Sequence, residues 1–596
     1  MADLFEIMSK RRGITPQFMA DIENDNYPDL MDIDKLAEHL HNIYLNKDRI
    51  VIIPDFDMDG IMSGTTAYAG FAQLGFNVAL YLPDPSQGYG FTTKDIDNIL
   101  TIHPDVKALI TCDVGITAFE AIDYAKRQDL TVLVTDHHKE PELVDQPQGF
   151  IRADVIVDPQ RLDETYPHPA ICGAFVMWQV LDYYARAYQP HNRSLIKYLR
   201  LFAGIGTVSD MMDVKWENRA LLRDSISIAR LLLPVKRTVT DPNTGNLIEV
   251  SDDSVLLGIL NDTPNVHPVY LDAFIGFSKV LLKFQDMDKL RVKDGAEALD
   301  EGFYGFYLAP TFNAVKRMDG SMEDTFGAFF NHNNPNHIDT IYELNEERKE
   351  IVKKYVAQAL EDHYGLAPYV YIIDAPAGVL GLIANKIMSD YTRLPVAVLN
   401  KETFTGSGRA PSPYPLHTRG NQNGFTIAGH EQANGVQLDS LEKARDFAAW
   451  LEQDFEQFTK EYDGPIGVGE DDLILSDGFS NKSADAIINP KEIIDFVHAV
   501  NNLKPFGHGF PYPSTLVTVS VNDLSYRVMG SDDQHVKFTH PYGLDLISWN
   551  SNSEDHSILD DISDIDTVNF RGKLQINEFN GRTYAQMIID TYSKEN

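Results

Sequence analysis

The segment Arg49–Gly60, RIVIIPDFDMDG, restricts this chain more than any other. Its β-branched apolar run, Ile50 to Ile53, has the composition of a strand buried on both faces, and it ends in Asp55, Asp57 and Asp59 at alternate positions. Side chains alternate along extended backbone, so three carboxylates converge only where the strand opens into a loop, and there their repulsion is relieved by a divalent cation. An EF-hand calcium loop also begins D-x-D-x-D-G. Its twelfth position requires a bidentate Glu, however, and here that position is Thr66, with a strand rather than a helix leading in.

Four further apolar runs follow at the spacing of a parallel α/β sheet: VALYL from Val78, VKALITC from Val106, LTVLVT from Leu130 and ADVIVD from Ala153. What terminates them is informative. The third strand ends at Asp113, the fourth at Asp136-His137-His138 and the fifth at Asp158. One carboxylate at a strand end is an ordinary helix cap, but acidic ends on four strands of one open sheet, one of them with two histidines, converge on the crevice where such sheets bind ligands. Oxygen donors with one or two imidazoles suit manganese or magnesium. GTVSDMM at 206–212 adds Asp210 after a small-residue turn.

The 596 residues suffice for three or four domains, and no run of eighteen apolar residues or signal-peptide h-region interrupts them, so a cytoplasmic protein is expected. The two cysteines, Cys112 and Cys172, form no CxxC pair and read as buried small hydrophobes. A net charge of −37 excludes a general nucleic-acid-coating protein and confines any polyanion to a local groove.

Residues 1–48 read as helical packing for the first strand, and 220–330 as helices with polar loops such as DPNTGN and a capped helix from Pro268. From Asp339 to His363 a long amphipathic helix carries Ile341, Leu344, Ile351, Tyr355 and Ala359 on one stripe. At 1.5 Å per residue it spans roughly 37 Å, enough to separate two domains at fixed geometry. A second α/β unit follows, with strands YVYIID and LPVAVLN around the helix AGVLGLIANKIMSDY. Its TGSGRA stretch places glycines beside Ser407, so that backbone N–H groups approach an anion and Arg409 adds a phosphate-matching fork; a Gly-Ser-Gly hairpin turn explains the same residues equally well. AGHEQANG holds His430 between glycine-rich turns. After a helix at 490–502 and the boundary LKPFGHGFPYP, five short strands suit a small barrel such as the OB-fold, in which plain core is the simpler place for each of Tyr526, Trp549 and Tyr584.

The series DFDMDG, CDVG, DHH and GTVSD resembles the DHH phosphoesterase superfamily. QGYG at 87–90, APTFNAVKRM at 309–318, LNEER at 344–348, AGVLGLIANK, GSGR, AGHEQANG, KPFGHGFPYP and INEFNGRTYAQMIIDTY extend the resemblance, in order, to its RecJ single-strand exonuclease branch. The resemblance implies an α/β fold: a DHH domain with a parallel doubly wound sheet (1–230, with a helical layer at 231–337), a long connecting helix (338–364), an α/β DHHA1 domain (365–464) and a linking helix with a C-terminal OB-fold β-barrel (465–596). It implies 5′ to 3′ hydrolysis of single-stranded DNA with two Mn2+ or Mg2+ ions, in DNA recombination and repair, with a helicase or single-strand-binding protein as candidate partner and no membrane.

Carried over residue by residue, the implied metal ligands are Asp57, Asp59, Asp113, His137 and Asp210, with Asp55 and Asp136 auxiliary and His138 on the scissile phosphate. Ser407, Gly408 and Arg409 match 5′-end recognition, and His430 a substrate contact. Asp113, central among the strand ends, is the natural bridge between two ions, and Asp136 is expected to orient the imidazole of His137. The chain departs from the pattern where PDPSQGYG lacks an arginine before its glycines, leaving Lys94 or Lys386 as substitutes, where APTFNAVKRM lacks one after its proline, and where Phe510 stands for asparagine. Two other readings use parts of the same residues. A short-oligonucleotide or cyclic-dinucleotide phosphodiesterase needs neither OB-fold nor long helix, and a catalytically inactive replication or recombination factor would have lost several ligands, whereas every matched position here is filled.

Overall fold

The sheet predicted from the apolar runs forms with strands β1 (Arg49–Pro54), β2 (Asn77–Leu80), β3 (Val106–Cys112), β4 (Thr131–Thr135) and β5 (Val155–Val157), all parallel in the order β2-β1-β3-β4-β5. Alternation along each strand feeds two separate cores. Ile50, Ile52, Ala108, Ile110 and Leu133 join one with the helices Met58–Gln73, Gly173–Tyr188 and Arg200–Ser209, while Val51, Ile53, Leu109, Val132 and Val134 join the other with Thr93–Ile102 and Phe119–Arg127. The strand order reverses direction between β1 and β3, so the crevice of the fold opens beside the residues that follow these two strands. Cys112 and Cys172 are free and buried, as expected of small hydrophobes.

The computed structural model describes residues 3–595 apart from 27, 85–89, 145, 147–148, 234, 241–246, 253, 288, 291–298, 362, 463–470, 531–532, 550, 553–556 and 580. Residues 85–89 of PDPSQGYG, and the DPNTGN loop, therefore lie outside the described residues. Two compact units result: a larger one, Glu23–Phe455 with Gly507–Gly509, and a smaller one of Met1–Ile22, Glu456–Phe506 and Phe510–Asn596.

Three expectations are corrected within the larger unit. Of the N-terminal helices only Ile33–Asn46 packs on the first sheet's core; Leu4–Arg11 and Pro16–Ile22 belong to the smaller unit, where Leu4, Met8 and Ile22 are buried with Phe496 and Val500. The stretch read as all-helical contains an antiparallel hairpin, Val235–Thr240 with Leu247–Asp252, before the helix Pro268–Asp286. Asp210 follows a helix, Arg200–Ser209, rather than a turn.

The long helix runs from Asn336 to Leu360 and serves two cores, Ile341 facing the first and Val352, Val356 and Ala359 the second. Leu344, Ile351 and Tyr355, placed on its stripe from sequence, are only half-buried, because the stripe changes partners along its length. A second sheet follows with strand order Thr426–Gly429, Ala433–Gln437, Thr405–Arg409, Val396–Asn400, Val370–Ile373. The TGSGR segment is its central strand, so it is neither the hairpin turn nor the open glycine cradle. Its glycines are there for close approach: a Cβ at Gly406 would lie 1.9 Å from the Val398 carbonyl oxygen, and one at Gly408 2.2 Å from Asn434 Oδ1.

Among the described residues of the smaller unit, one mixed sheet of eight strands stands where five were expected. STLVTVSVNDLSYRVM divides into Thr515–Ser520 and Ser525–Met529, and the last two strands, Thr567–Phe579 and Arg582–Glu595, are long. Tyr526, Trp549 and Tyr584 are not core: they are 61%, 51% and 39% exposed. Among the described residues no helix is long and apolar enough to cross a membrane.

Candidate metal centre

Each site segment prolongs the ladder of its strand by one residue before turning away. Asp55 N–H donates to the Cys112 carbonyl, Asp113 N–H to Thr135 and Asp136 N–H to Val157, at 3.0, 3.0 and 3.2 Å. The carboxylates thus inherit the register of the sheet. Asp57 caps the helix Met58–Gln73, accepting from the N–H groups of Asp59 and Gly60 at 3.0 and 3.2 Å. Asp59, the second residue of that helix, is held from the opposite side by the N-terminus of Gly173–Tyr188, whose Gly173 and Ala174 N–H groups donate to it at 2.6 and 3.2 Å. Asp113 takes a left-handed φ of 66°, an unusual conformation that Asp tolerates better than most residues.

The geometry converges on His137. Its Nε2 lies 3.0 Å from Asp113 Oδ1, 3.6 Å from Asp210 Oδ2 and 3.8 Å from Asp59 Oδ2, while its Nδ1 is buried without a hydrogen-bond partner. Three sets of side chains bring ligand atoms within 4.8 Å of one another: Asp113 with His137 and His138, Asp59 with His137 and Asp210, and Asp55 with Asp57 and Asp113. Asp113 and His137 are each shared, so the sets are contiguous. Asp136 is in none of them. It accepts from the N–H groups of Ile116, His137 and His138 and binds His138 Nδ1 at 2.8 Å, so it orients His138 and not, as predicted, the His137 ring.

Electrostatics mark the cluster as built for positive charge. Burial, then the charge of Asp57, pushes Asp55 up to about 7; burial, then Asp59, does the same to Asp210. Burial and the neighbouring carboxylates hold Asp113 well above the usual carboxylate range. Burial opposes charge on His137, but Asp59 and Asp210 outweigh it and raise its pKa. Asp55 Oδ1 and Asp113 Oδ1 are buried without hydrogen bonds. Orphaned oxygens, an orphaned imidazole and crowded carboxylates fit one or two divalent cations, and the donor set of oxygens with imidazole fits manganese or magnesium. Asp158, a predicted strand-end acid, is fully buried nearby, with Oδ1 on the Gln160 N–H; burial, then Asp136, lifts it to about 7.

Several supporting residues escaped the sequence reading. A Cβ at Gly173 would sit 2.5 Å from Asp113 Oδ1 and one at Gly206 2.2 Å from Asp59 Oδ1, so both glycines admit carboxylates. Asn313 Oδ1 accepts from Met58 N–H at 2.8 Å, and Lys316 Nζ lies 3.8 Å from the Phe56 ring centre, where its charge favours ionised Asp55. Asn313 and Lys316 lay within a quoted motif, but nothing in one dimension connected them to Phe56 and Met58. Ser407 and Arg409 are half-buried on the second sheet, Gly408 is buried between them, and His430 is exposed at the turn joining two of its strands.

The DHH family, N-terminal domain, matches residues 49–205, and the RecJ OB domain matches 484–591. The single-stranded-DNA-specific exonuclease RecJ of Bacillus subtilis is 25% identical over 93% of this chain, which spans 62% of that relative's length. Its counterpart in Haemophilus influenzae is 25% identical over 94% of this chain and 90% of its own length. Among solved structures, RecJ from Thermus thermophilus in complex with Mn2+ covers 99% of this chain and 76% of its own, with a TM-score of 0.66 at 18% identity. An exonuclease RecJ bound to manganese covers 71% of this chain and 95% of its own, with a TM-score of 0.50 at 19% identity. At such identities the structural likeness speaks for the fold, and the two matched domains speak for descent. Along most of its length the chain is similar to RecJ, with a DHH N-terminal domain matched in its first half and a RecJ OB domain near its C-terminal end.

Proposed function

We propose that this protein is a metal-dependent exonuclease that hydrolyses single-stranded DNA from 5′ to 3′, with Asp57, Asp59, Asp113, His137 and Asp210 as metal ligands. The observation that carries the reading is the contiguity of the three ligand sets through Asp113 and His137, which suits two adjacent ions rather than one. Two such ions, when bound, neutralise the non-bridging oxygens of the phosphodiester and lower the pKa of a water for in-line attack.

The chain's own groups do the rest. Asp113 anchors both positions from a rigid strand end, and Asp59 is fixed by two backbone donors before any ion arrives. His138 is charged more readily than a free histidine: the Asp136 hydrogen bond favours its imidazolium, burial opposes it, and the net pKa is raised. His138 Nδ1 is committed to Asp136, and its Nε2 is assigned to donate to a phosphate oxygen. Ser407, Gly408, Arg409 and His430 are assigned to the 5′-end of the strand, and the exposed Tyr526, Trp549 and Tyr584 of the smaller unit to stacking of bases. A strand-binding unit of this kind is superfluous for a dinucleotide phosphodiesterase. The role assigned to it is recombination and repair of DNA, with a helicase or single-strand-binding protein as supplier of the strand.

The test is digestion of end-labelled single- and double-stranded DNA, RNA and dinucleotides with manganese or magnesium, with polarity read from the products. Release of label from 5′-ends of single strands supports the reading. Confinement of activity to dinucleotides, or 3′ to 5′ polarity, overturns it.

A further inference from the structure

Five carboxylates meet at the metal centre, Asp55, Asp57, Asp59, Asp113 and Asp210, and when ionised they carry one negative charge more than two divalent cations neutralise. A phosphodiester adds another. Binding a strand there therefore calls for positive charge from the chain itself. Two side chains supply it beside the first aspartate of the loop: the charges of Lys316 and His138 both favour ionised Asp55. His138 is tied to Asp136, and Lys316 has no counterpart of that bond.

Lys316 is held in place without being neutralised. Its helix, Ala309–Arg317, is docked on the aspartate loop by Asn313, whose Oδ1 accepts the Met58 N–H at 2.8 Å. Three residues further along the same face, Lys316 sets its Nζ 3.8 Å from the centre of the Phe56 ring, which stands between Asp55 and Asp57 in the chain. Among the described residues it has no carboxylate oxygen within 4.0 Å. A ring face fixes an ammonium through its charge and leaves the N–H donors uncommitted. The ordinary reason for a lysine here is the last turn of a helix, where a cation suits the helix dipole, and Arg317 shares that turn. That reason needs no ring. Nor does offsetting Asp55 suffice, since a direct ion pair would do it better. Phe56 is buried and Lys316 exposed, so the ammonium is seated on protein on one side and open on the other.

We propose that Lys316 is a substrate-binding residue of the metal centre, its ammonium donating to a non-bridging oxygen of the phosphodiester backbone where the strand crosses the aspartate loop. An ammonium is a compact charge with three donors and no fixed plane, so it suits a diester in any sequence and at either kind of 5′-end. It adds affinity for the backbone and carries no preference among bases or termini.

This inference rests on the exonuclease reading and is tested separately from it. The full chain and its Lys316→Met and Lys316→Arg variants are titrated with a 5′-hydroxyl single strand in calcium over a series of KCl concentrations. Each protein is then titrated with manganese alone. A lost phosphate contact should make the slope of log affinity against log salt shallower by about 0.7 in Lys316→Met, and weaken binding at low salt about three- to tenfold. Lys316→Arg keeps the charge and should restore the slope. The manganese affinity of Lys316→Met should be equal to that of wild type or tighter, because a neighbouring positive charge has gone. An unchanged salt slope in a correctly melting Lys316→Met would overturn the contact, and so would a slope that Lys316→Arg fails to restore. Wild-type protein that binds the strand and cleaves none counts against the exonuclease reading, while the difference in slope still decides on Lys316. Wild-type protein that binds no strand overturns both.

Discussion

Asp136 and His138 form the one hydrogen-bonded carboxylate–imidazole pair among the described residues of the DHH motif, 2.8 Å between Oδ1 and Nδ1, while His137 turns its Nε2 to Asp113 at 3.0 Å. Two adjacent histidines are thereby divided, one ring turned to Asp113 and the other to Asp136. Asp136→Asn removes the charge that favours the His138 imidazolium, and such supporting changes typically cost about ten- to hundredfold in activity or metal affinity. The expected outcome is a fall in kcat at saturating manganese, with a rate that is lost at lower pH than in wild type because the His138 pKa drops. A pH–rate profile for the two proteins checks this.

Asp113→Asn should abolish cleavage without unfolding the protein. Asparagine tolerates the left-handed φ of 66° and keeps the shape against Gly173, but cannot bridge two cations, so activity should fall by at least about a hundredfold. Repulsion with Asp59, Asp57 and Asp55 is relieved at the same time, so the metal-free variant should melt no lower than wild type at neutral pH. Turnover near the wild-type value in manganese would refute the ligand assignment.

Metal removal should destabilise the protein increasingly as pH rises. Asp55 and Asp210 sit at about 7 in the folded chain, against roughly 3.9 when unfolded, mainly because of burial. Such groups contribute stability that is fully present below the unfolded pKa and is lost as pH rises through the folded one, from about 4 to about 7. Divalent cation bound to the ionised carboxylates offsets that loss. The gap in Tm between protein in manganese and in EDTA should therefore widen between about pH 5 and about pH 8, as calorimetry can measure. A constant gap would place the cations elsewhere.

Tyr526→Ala and Trp549→Ala should weaken binding of long single strands by about five- to hundredfold each, given roughly 1–3 kcal/mol per stacked base, and should leave hydrolysis of a trinucleotide within about twofold. Both rings are more than half exposed, so their removal opens no core cavity. Comparison of KM on a trinucleotide and on a long oligonucleotide separates this from a general loss.

The parts of this molecule that could be read from its sequence are those governed by local chemistry. The five strands announced themselves because a parallel sheet buries both faces, and Asp113, His137 and their neighbours because a strand end is a fixed address in such a sheet. The errors have a common origin in partners distant along the chain. Leu4 and Met8 have ordinary helical spacing, and only the tertiary structure decides that they pack with Phe496 rather than with β1. TGSGR looks like a turn because glycine is ambiguous; its place in mid-sheet depends on Val398 and Asn434. Gly173 and Gly206 carry no sequence signature at all, since the carboxylates that need their missing side chains come from Asp113 and Asp59. Core is the average expectation for Tyr526 and Trp549, and their exposure departs from it.

The helix Asn336–Leu360 has a consequence for how this protein can change over generations. It is set in one core at Ile341 and in another at Val352, Val356 and Ala359. Adding a single residue between them would turn one anchor by about 100° against the other and lengthen the span by about 1.5 Å, moving every apolar contact off its seat at once. Loops elsewhere can drift in length, but this stretch accepts substitutions and refuses insertions. Its eleven steps from Ile341 to Val352 behave as an inherited constant.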